Sequence, residues 1–375
     1  MVPIGLPVLG IESEILTFGR ISDVIPHLNK ILAAYDLKAE SALFPIGNGL
    51  IHKTWKLSAG SDIYVLQNIN KQVFREPQKI AENLRLLEAY LKKSDPTHLF
   101  VAPLPTVTGE RMCIQDGLYY RLFRFVDKSN TYDVVSGADL AYEAALQFGR
   151  FSKVFAGFDS ETLNATIPQF HDLGFRELQL REALVHGNIA RIIRSRELIQ
   201  SAQHHTGITD EFLRIQKGKL INKRVTHHDT KISNVLFNPE GRGITVIDLD
   251  TVMAGYFISD LGDMMRTYLS PASEEENDFT QIDVRPDFFE AIVSGFLDQT
   301  HNVLTAGEKE FIFYSGAFLI YMQAIRFLTD YLNNDAYYGA RYDDHNFVRA
   351  GNQFTLLDRY MEKEDIFRSM VNKVI

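Results

Sequence analysis

The stretch Val225–Asp250 constrains this chain most. It reads Val-Thr-His-His-Asp-Thr-Lys-Ile-Ser-Asn-Val-Leu-Phe and, after a polar turn, Val-Ile-Asp-Leu-Asp. Short apolar runs on either side of a polar loop predict a strand, a loop and a second strand, and the run Ile244–Ile247 then ends at Asp248. Within the loop, His227, Asp229 and Asn234 are spaced as H-x-D-x-x-x-x-N. Aspartate and asparagine alone often do no more than close turns. A carboxylate and a carboxamide in one loop, followed by a strand ending in another carboxylate, make a different pattern. One carboxylate can orient an attacking hydroxyl, while the amide oxygen and the other carboxylate hold a hard divalent cation.

That spacing is the catalytic-loop pattern of kinases, and Asp248 stands where a kinase places its second metal-binding aspartate. The blocks His-His-Asp-Thr-Lys-Ile-Ser-Asn and Ile-Asp-Leu-Asp-Thr-Val-Met resemble the aminoglycoside phosphotransferase and choline kinase superfamily. Within it they are most similar to the N-acetylhexosamine 1-kinases. The resemblance runs from about Phe44 to about Arg349. It implies an α+β, two-lobe, protein-kinase-like fold, with residues 1–127 as a small antiparallel-sheet lobe that binds nucleotide and residues 128–375 as a mostly helical lobe. It further implies ATP and Mg2+ as cofactors and the anomeric hydroxyl of an N-acetylhexosamine as acceptor. In these terms Asp229 takes the hydroxyl's proton, His227 orders the loop, and Asn234 and Asp248 hold magnesium, with Asp250 a further carboxylate nearby. Lys231 either touches the transferred phosphoryl group or is a solvated loop lysine.

Composition narrows the alternatives. The net charge of −9 argues against a general nucleic-acid binder. No apolar run was expected to reach bilayer-spanning length. The apolar start Met1–Gly10 lacks a basic segment, so no signal peptide is expected. The single cysteine, Cys113, forms no intrachain disulfide, reads as a packed side chain and fits a reducing cytoplasm. With the resemblance, a monomer or homodimer is expected whose small-molecule partners are a sugar and a nucleotide.

Upstream, apolar residues at helical spacing from Ile21 to Tyr35 predict a helix on the back of the first lobe. Strands are expected over Ala42–Ile46, Leu50–Leu57 and Ile63–Ile69. Gly47-Asn48-Gly49 is either a plain hairpin or a glycine lid over phosphates. The third strand departs from protein kinases, with Gln67 where a lysine pairs with phosphates; it offers an amide donor without charge. An amphipathic helix spans Glu76–Lys92, with Glu82 read as exposed. Strands Arg111–Ile114 and Leu118–Phe125 lead to Phe125-Val126-Asp127, the hinge whose backbone would read the adenine edge.

Further on, helices are expected over Ala138–Phe155, Leu173–His186, Ala190–His205, Asp287–Phe296, Lys309–Leu332 and Phe347–Val374. Phe170-His171-Asp172 reads either as a helix cap with a packed ring or as a pocket element. Asp260 is either an N-cap or a brace for the catalytic loop. Arg326 sits within the most apolar helix and needs a partner, either an internal carboxylate or a ligand. By resemblance, Arg326 and Tyr337 reach the sugar, and His345, Asn346 and Arg349 follow in a shared stretch. An arginine there favours a neutral, hydroxyl-rich acceptor over the amino alcohols and aminoglycosides that form the enzymatic alternative. Gln67 motivates the non-catalytic alternative, a nucleotide-binding pseudokinase. Asp-Phe-Gly and Ala-Pro-Glu are missing after Asp248, which disfavours a protein kinase.

Overall fold

The computed structural model describes Ile25 and residues 27–38, 42–46 and 51–375. Gly47, Asn48, Gly49 and the first residues of the expected leading helix lie outside the described residues. The chain divides into two compact units. One runs up to Ala81 and includes Val101–Asp127; the other comprises Glu82–Phe100 and Lys128–Ile375. The sequence reading drew one boundary after Asp127, but residues 82–100 pack with the second unit. Asn83 donates to the carbonyls of Asn164 and Val252, and Leu99 accepts from Thr245.

The first unit is a fully antiparallel five-stranded sheet in the order β1-β2-β3-β5-β4. Its strands are β1 (Ala42–Pro45), β2 (Lys53–Ala59), β3 (Asp62–Asn68), β4 (Cys113–Gln115) and β5 (Leu118–Arg124). Side chains alternate across such a sheet. Leu57, Leu66, Trp55, Tyr64, Tyr120 and Leu122 therefore fall on one face, where Leu28, Ile31 and Leu32 of α1 (Leu28–Ala34) join them in a single core with buried Cys113. Thr54, Gln67 and Arg121 occupy the other face as direct cross-strand neighbours. Helix α2 (Pro77–Ser94) opens on a proline, which suits a first turn with no N–H to satisfy.

The second unit is mostly helical. Its helices are α3 (Ala138–Val154), α4 (Leu173–His186), α5 (Ile189–Arg194), α6 (Arg196–His204), α7 (Gly207–Gly218), α8 (Phe257–Tyr268), α9 (Pro286–Thr300), α10 (Ala306–Lys309), α11 (Ile312–Leu332), α12 (His345–Glu362) and α13 (Glu364–Val374). Where one helix was expected over Ala190–His205, two meet at Ser195, and the expected C-terminal helix breaks at Lys363. The sequence reading missed α7, although Ile208, Phe212 and Ile215 recur at helical spacing and are buried. Helix α11 corrects another expectation. It is apolar and long enough to cross a bilayer, yet 83% of that window is buried inside the protein. It is the central helix of this unit.

Two short ladders frame the catalytic stretch. Strand β6 (Arg224–Thr226) pairs with β9 (Met253–Gly255), and β7 (Val235–Phe237) pairs with β8 (Gly243–Val246). The loop from β6 to β7 and the turn from β8 to β9 thus leave neighbouring strand ends. The buried Arg224–Glu308 ion pair, at 3.1 Å, anchors β6 to α10.

Candidate active site

The loop of residues 227–234 is held from beneath by α8. The two oxygens of Asp260 accept the backbone N–H groups of His227 and His228 at 2.9 and 2.7 Å. Asp263, one turn on, accepts the N–H of Thr230 at 2.7 Å, and Tyr268 donates to the Thr230 carbonyl. Asp260 is therefore a brace rather than an N-cap. Burial pushes its carboxyl up to about 7, against the two amides that favour its ionised form. Helix α8 reaches this position because residue 262 is glycine. A Cβ there would lie 2.1 Å from the carbonyl oxygen of Ser315 on α11, so any side chain would push α8 away.

Both histidines are buried and neutral in character. His227 is fully covered; Nε2 donates to the Ile247 carbonyl at 3.0 Å, which leaves Nδ1 to accept the Asp229 N–H. Burial lowers its pKa. The Nδ1 of His228 lies 3.1 Å from two carbonyls, those of Thr226 and Thr251, and burial brings its pKa down to about 4. Two non-glycine residues adopt left-handed backbone here, His228 at φ 66° and Asp248 at φ 60°. Such strain, of order 1–3 kcal/mol each, persists only where surrounding bonds over-determine the conformation.

Above this support, Lys231 Nζ lies 3.0 Å from Asp229 Oδ2, and Asn234 Nδ2 donates to the Asp229 carbonyl at 2.9 Å. Lys231 is thus bound to Asp229 and is no free surface lysine. Burial by itself would raise the Asp229 pKa; Lys231, followed by His227, outweighs it and keeps the carboxylate ionised. Asp229 in turn raises the Lys231 pKa and keeps its ammonium charged. The Ile247 N–H donates to the Asn234 carbonyl at 2.8 Å, which sets Asn234 beside the turn that carries Asp248 and Asp250. Carboxylate oxygens of Asp248 and Asp250 come within 4.8 Å of each other. With the Asn234 amide nitrogen committed to Asp229, its side-chain oxygen remains for a ligand. An all-oxygen set of one amide and two carboxylates fits Mg2+.

In the first unit, Gln67 does not stand free. Its amide donates to Thr54 Oγ1 at 3.2 Å, and its oxygen accepts from Arg121 Nε at 2.8 Å and Nη2 at 2.5 Å. The cation that β3 lacks therefore stands on β5, directly opposite Gln67 and only 2% exposed. Sequence reasoning overlooked Arg121; the strand pairing itself was the available signal. The Phe125 N–H donates to the Ile63 carbonyl, extending the β3–β5 pairing, so this N–H is not the group that reads adenine. Asp127 is exposed. Glu82, expected to be exposed, is half-buried and paired with Arg85.

Arg326 and Tyr337 meet in a cavity of about 320 Å3, together with Arg176, Gln179, Thr329, Asp330, Asn333, Ala336 and Tyr338. The guanidinium carbon of Arg326 lies 5.2 Å from the ring centre of Phe170, 5.4 Å from Tyr338 and 5.9 Å from Tyr337. Phe170 stacks on His171 at 4.5 Å, and His171 meets His228 edge-on at 5.1 Å, so rings link this cavity to the residue preceding Asp229. Asp172 caps α4 by accepting the Phe175 N–H. The cap reading of Phe170-His171-Asp172 thus holds at Asp172, while Phe170 lies behind Arg326 rather than in the cavity lining. Asn346 bridges Asp330, Asp335 and the Gly339 carbonyl, while Arg349 packs over Phe327 and pairs with Glu274. These two residues and His345 shape the wall from behind.

Comparison with known proteins agrees with this geometry. A family model described as the phosphotransferase enzyme family matches residues 43–288. An aminoglycoside phosphotransferase from Alicyclobacillus acidocaldarius is similar at 13% identity, over 93% of this chain and 97% of its own, with a TM-score of 0.62. A spectinomycin phosphotransferase solved with AMP is 13% identical over 90% and 97%, with a TM-score of 0.57. An ethanolamine kinase of Plasmodium vivax is 12% identical over 93% and 87%, with a TM-score of 0.55. At these identities the likeness is one of fold.

Proposed function

The chain belongs to the phosphotransferase enzyme family, and on that premise we propose that it transfers the γ-phosphoryl group of ATP to the anomeric hydroxyl of an N-acetylhexosamine. The observation that carries the transfer chemistry is the Asp229 carboxylate, kept ionised by Lys231 on a loop fixed by Asp260 and Asp263. Asp229 orients the acceptor hydroxyl and takes its proton as the new O–P bond forms. Lys231, 3.0 Å from Asp229, offers positive charge to the phosphoryl oxygens as they pass. Asn234 and Asp248, with Asp250 beside them, would hold magnesium, which would supply neutralisation of the phosphate charge. His227 keeps the loop in register through its bonds to Ile247 and Asp229 and moves no proton. On the sheet, Arg121 and Gln67 together stand in for the strand lysine. Gly47 and Gly49 keep their proposed place over the phosphates, and the backbone near Phe125 and Asp127 its place beside adenine.

The acceptor reading is supported by Arg326 and Tyr337 in one cavity beside the catalytic loop. An arginine above aromatic rings suits ring hydroxyls and an acetamido carbonyl, and it repels cationic amino alcohols and aminoglycosides. Buried Cys113 accords with a reducing cytoplasm. The test is ATP consumption with magnesium against a panel of free sugars, N-acetylhexosamines, choline, ethanolamine and aminoglycosides. N-acetylglucosamine and N-acetylgalactosamine should turn over and yield the 1-phosphate. Turnover confined to the cationic acceptors would overturn the acceptor, and ATP binding without any turnover would favour a pseudokinase.

A further inference from the structure

We propose that the cavity at Arg326 is a subsite for an anionic group, so that the preferred acceptor is an acidic member of its sugar class whose anion sits between Arg176 and Arg326. This rests on the reading of the cavity as the acceptor pocket. Arg176, on α4, was not singled out from sequence. It is only 8% exposed and lines the same cavity. Its Nη1 donates to Gln179 at 2.8 Å and its Nη2 to the Phe170 carbonyl at 3.0 Å, while its Nε is buried with no partner. Arg326 donates to the Gln323 side-chain oxygen at 3.0 Å. Neutral protein acceptors thus take the hydrogen bonds of both guanidiniums.

The other deeply placed arginines of this unit show the contrast. Arg224 pairs with Glu308 at 3.1 Å, Arg266 with Asp263 at 3.0 Å, and Arg349 with Glu274. Among the described residues, Arg176 and Arg326 have no such carboxylate. Asp330 lines the cavity, but its oxygens accept the N–H groups of Tyr337 and Tyr338 and the amide of Asn346. Burial, then the nearby Arg326 charge, lowers the Arg176 pKa to about 10, against Tyr338, Tyr337 and Asp172, which oppose the shift. An incoming carboxylate or phosphate supplies what both guanidiniums lack, through charge-assisted and bidentate bonds. A neutral sugar leaves the Arg176 Nε unpaired.

Initial rates decide the matter, measured for N-acetylglucosamine beside its C6 carboxylate, its 6-phosphate and a derivative carrying a carboxylate on the C3 oxygen. At least one acidic sugar should show a KM lower than the neutral one by roughly 10-fold or more, the range of a hydrogen bond to a charged group. Whether carboxylate or phosphate gains more identifies the anion. Arg176→Gln should erase the preference, Arg176→Lys should retain part of it, and the ATP KM should stay unchanged in both. Equal or better use of the neutral sugar by the wild type overturns the subsite while leaving the sugar 1-kinase reading intact. So does a preference that survives both Arg176→Gln and Arg326→Gln. If no sugar turns over, that reading falls, and calorimetry with the C6 carboxylate judges the subsite alone. Binding that is lost in Arg176→Gln sustains the subsite, and absence of heat overturns it. Melting curves accompany each variant, and Arg326→Gln carries the test if Arg176→Gln does not fold.

Discussion

The catalytic loop and the arginine-lined cavity belong to the same unit but treat their polar groups in opposite ways. In the loop, the N–H groups of His227, His228, Asp229 and Thr230 all have protein partners, as does the carbonyl of Thr230. Even its strained residue, His228, is pinned by two carbonyls. In the cavity, two arginines share few bonds, one guanidinium nitrogen is orphaned, and Tyr337 stands 62% exposed at the rim. Groups that act on every turnover gain from preorganisation, because they need no rearrangement as charge develops. Groups that choose the acceptor gain from being incomplete, because the right ligand then supplies what is missing and the wrong one does not.

The strongest test of the contrast is Asp229→Asn. Apart from the ion pair with Lys231, the bonds that hold the loop do not use this carboxylate, so the fold and ATP affinity should survive while kcat falls roughly 10²–10⁴-fold. A variant retaining more than half the wild-type rate would show that the rigid region is not the chemical one.

Asp260→Asn comes next. One loop N–H would then face an amide NH2 in place of an oxygen, for a loss of about 1–3 kcal/mol seen in urea unfolding at pH 7.5. This variant also exposes an acid dependence. Burial holds the folded His228 pKa at about 4, below its ordinary value, so the unfolded chain takes up the proton first. Stability from this group is complete above pH 6.5 and is lost as pH falls toward 4, by about 3 kcal/mol. The folded Asp260 pKa, raised to about 7, acts with the opposite sign and favours the folded state on acidification over the same window. Asp260→Asn removes that counterweight, so its stability should fall more steeply than wild type between pH 7 and pH 4. Parallel pH profiles would mean that Asp260 does not titrate as a buried brace.

The smallest effect is expected in the cavity. Arg326→Ala should raise the acceptor KM roughly 10-fold and leave the ATP KM unchanged, with a melting curve close to wild type because its bond to Gln323 is local. A large loss of stability would make Arg326 part of the scaffold and erase the contrast.

What could be read from the sequence follows the same division. Spacing along the chain put Asp229 and Asn234 in one loop, since residues a few positions apart meet whatever surrounds them, and the strand pair β7–β8 brings Ile247, next to Asp248, back to Asn234. The bracing carboxylate Asp260 was also visible, through resemblance. Arg121 and Arg176 were not visible, because Arg121 lies far in the chain from Gln67 and Arg176 lies far in the chain from Arg326. Arg121 meets Gln67 across 54 residues through strand register, and Arg176 meets Arg326 through the packing of α4 and α11. The burial of α11 was legible in its apolar run, but its span-like length was not: its composition alone is that of a membrane span, and only the helices around it show otherwise.

Helix α11 also bears on how the chain is made. When residues 312–332 leave the ribosome, they form the one segment among the described residues long and apolar enough to cross a membrane, and α12 and α13, which cover them, are still unsynthesised. At roughly 5–20 residues per second, the remaining residues take roughly 2–9 s to appear, a long interval for chaperones or an insertion channel to act. Arg326 and Asp330 fall in the second half of this segment. Each would cost a membrane-inserted helix roughly 2.5–3.5 kcal/mol near its centre. The side chain proposed to choose the acceptor thus also weighs against bilayer insertion of the nascent segment.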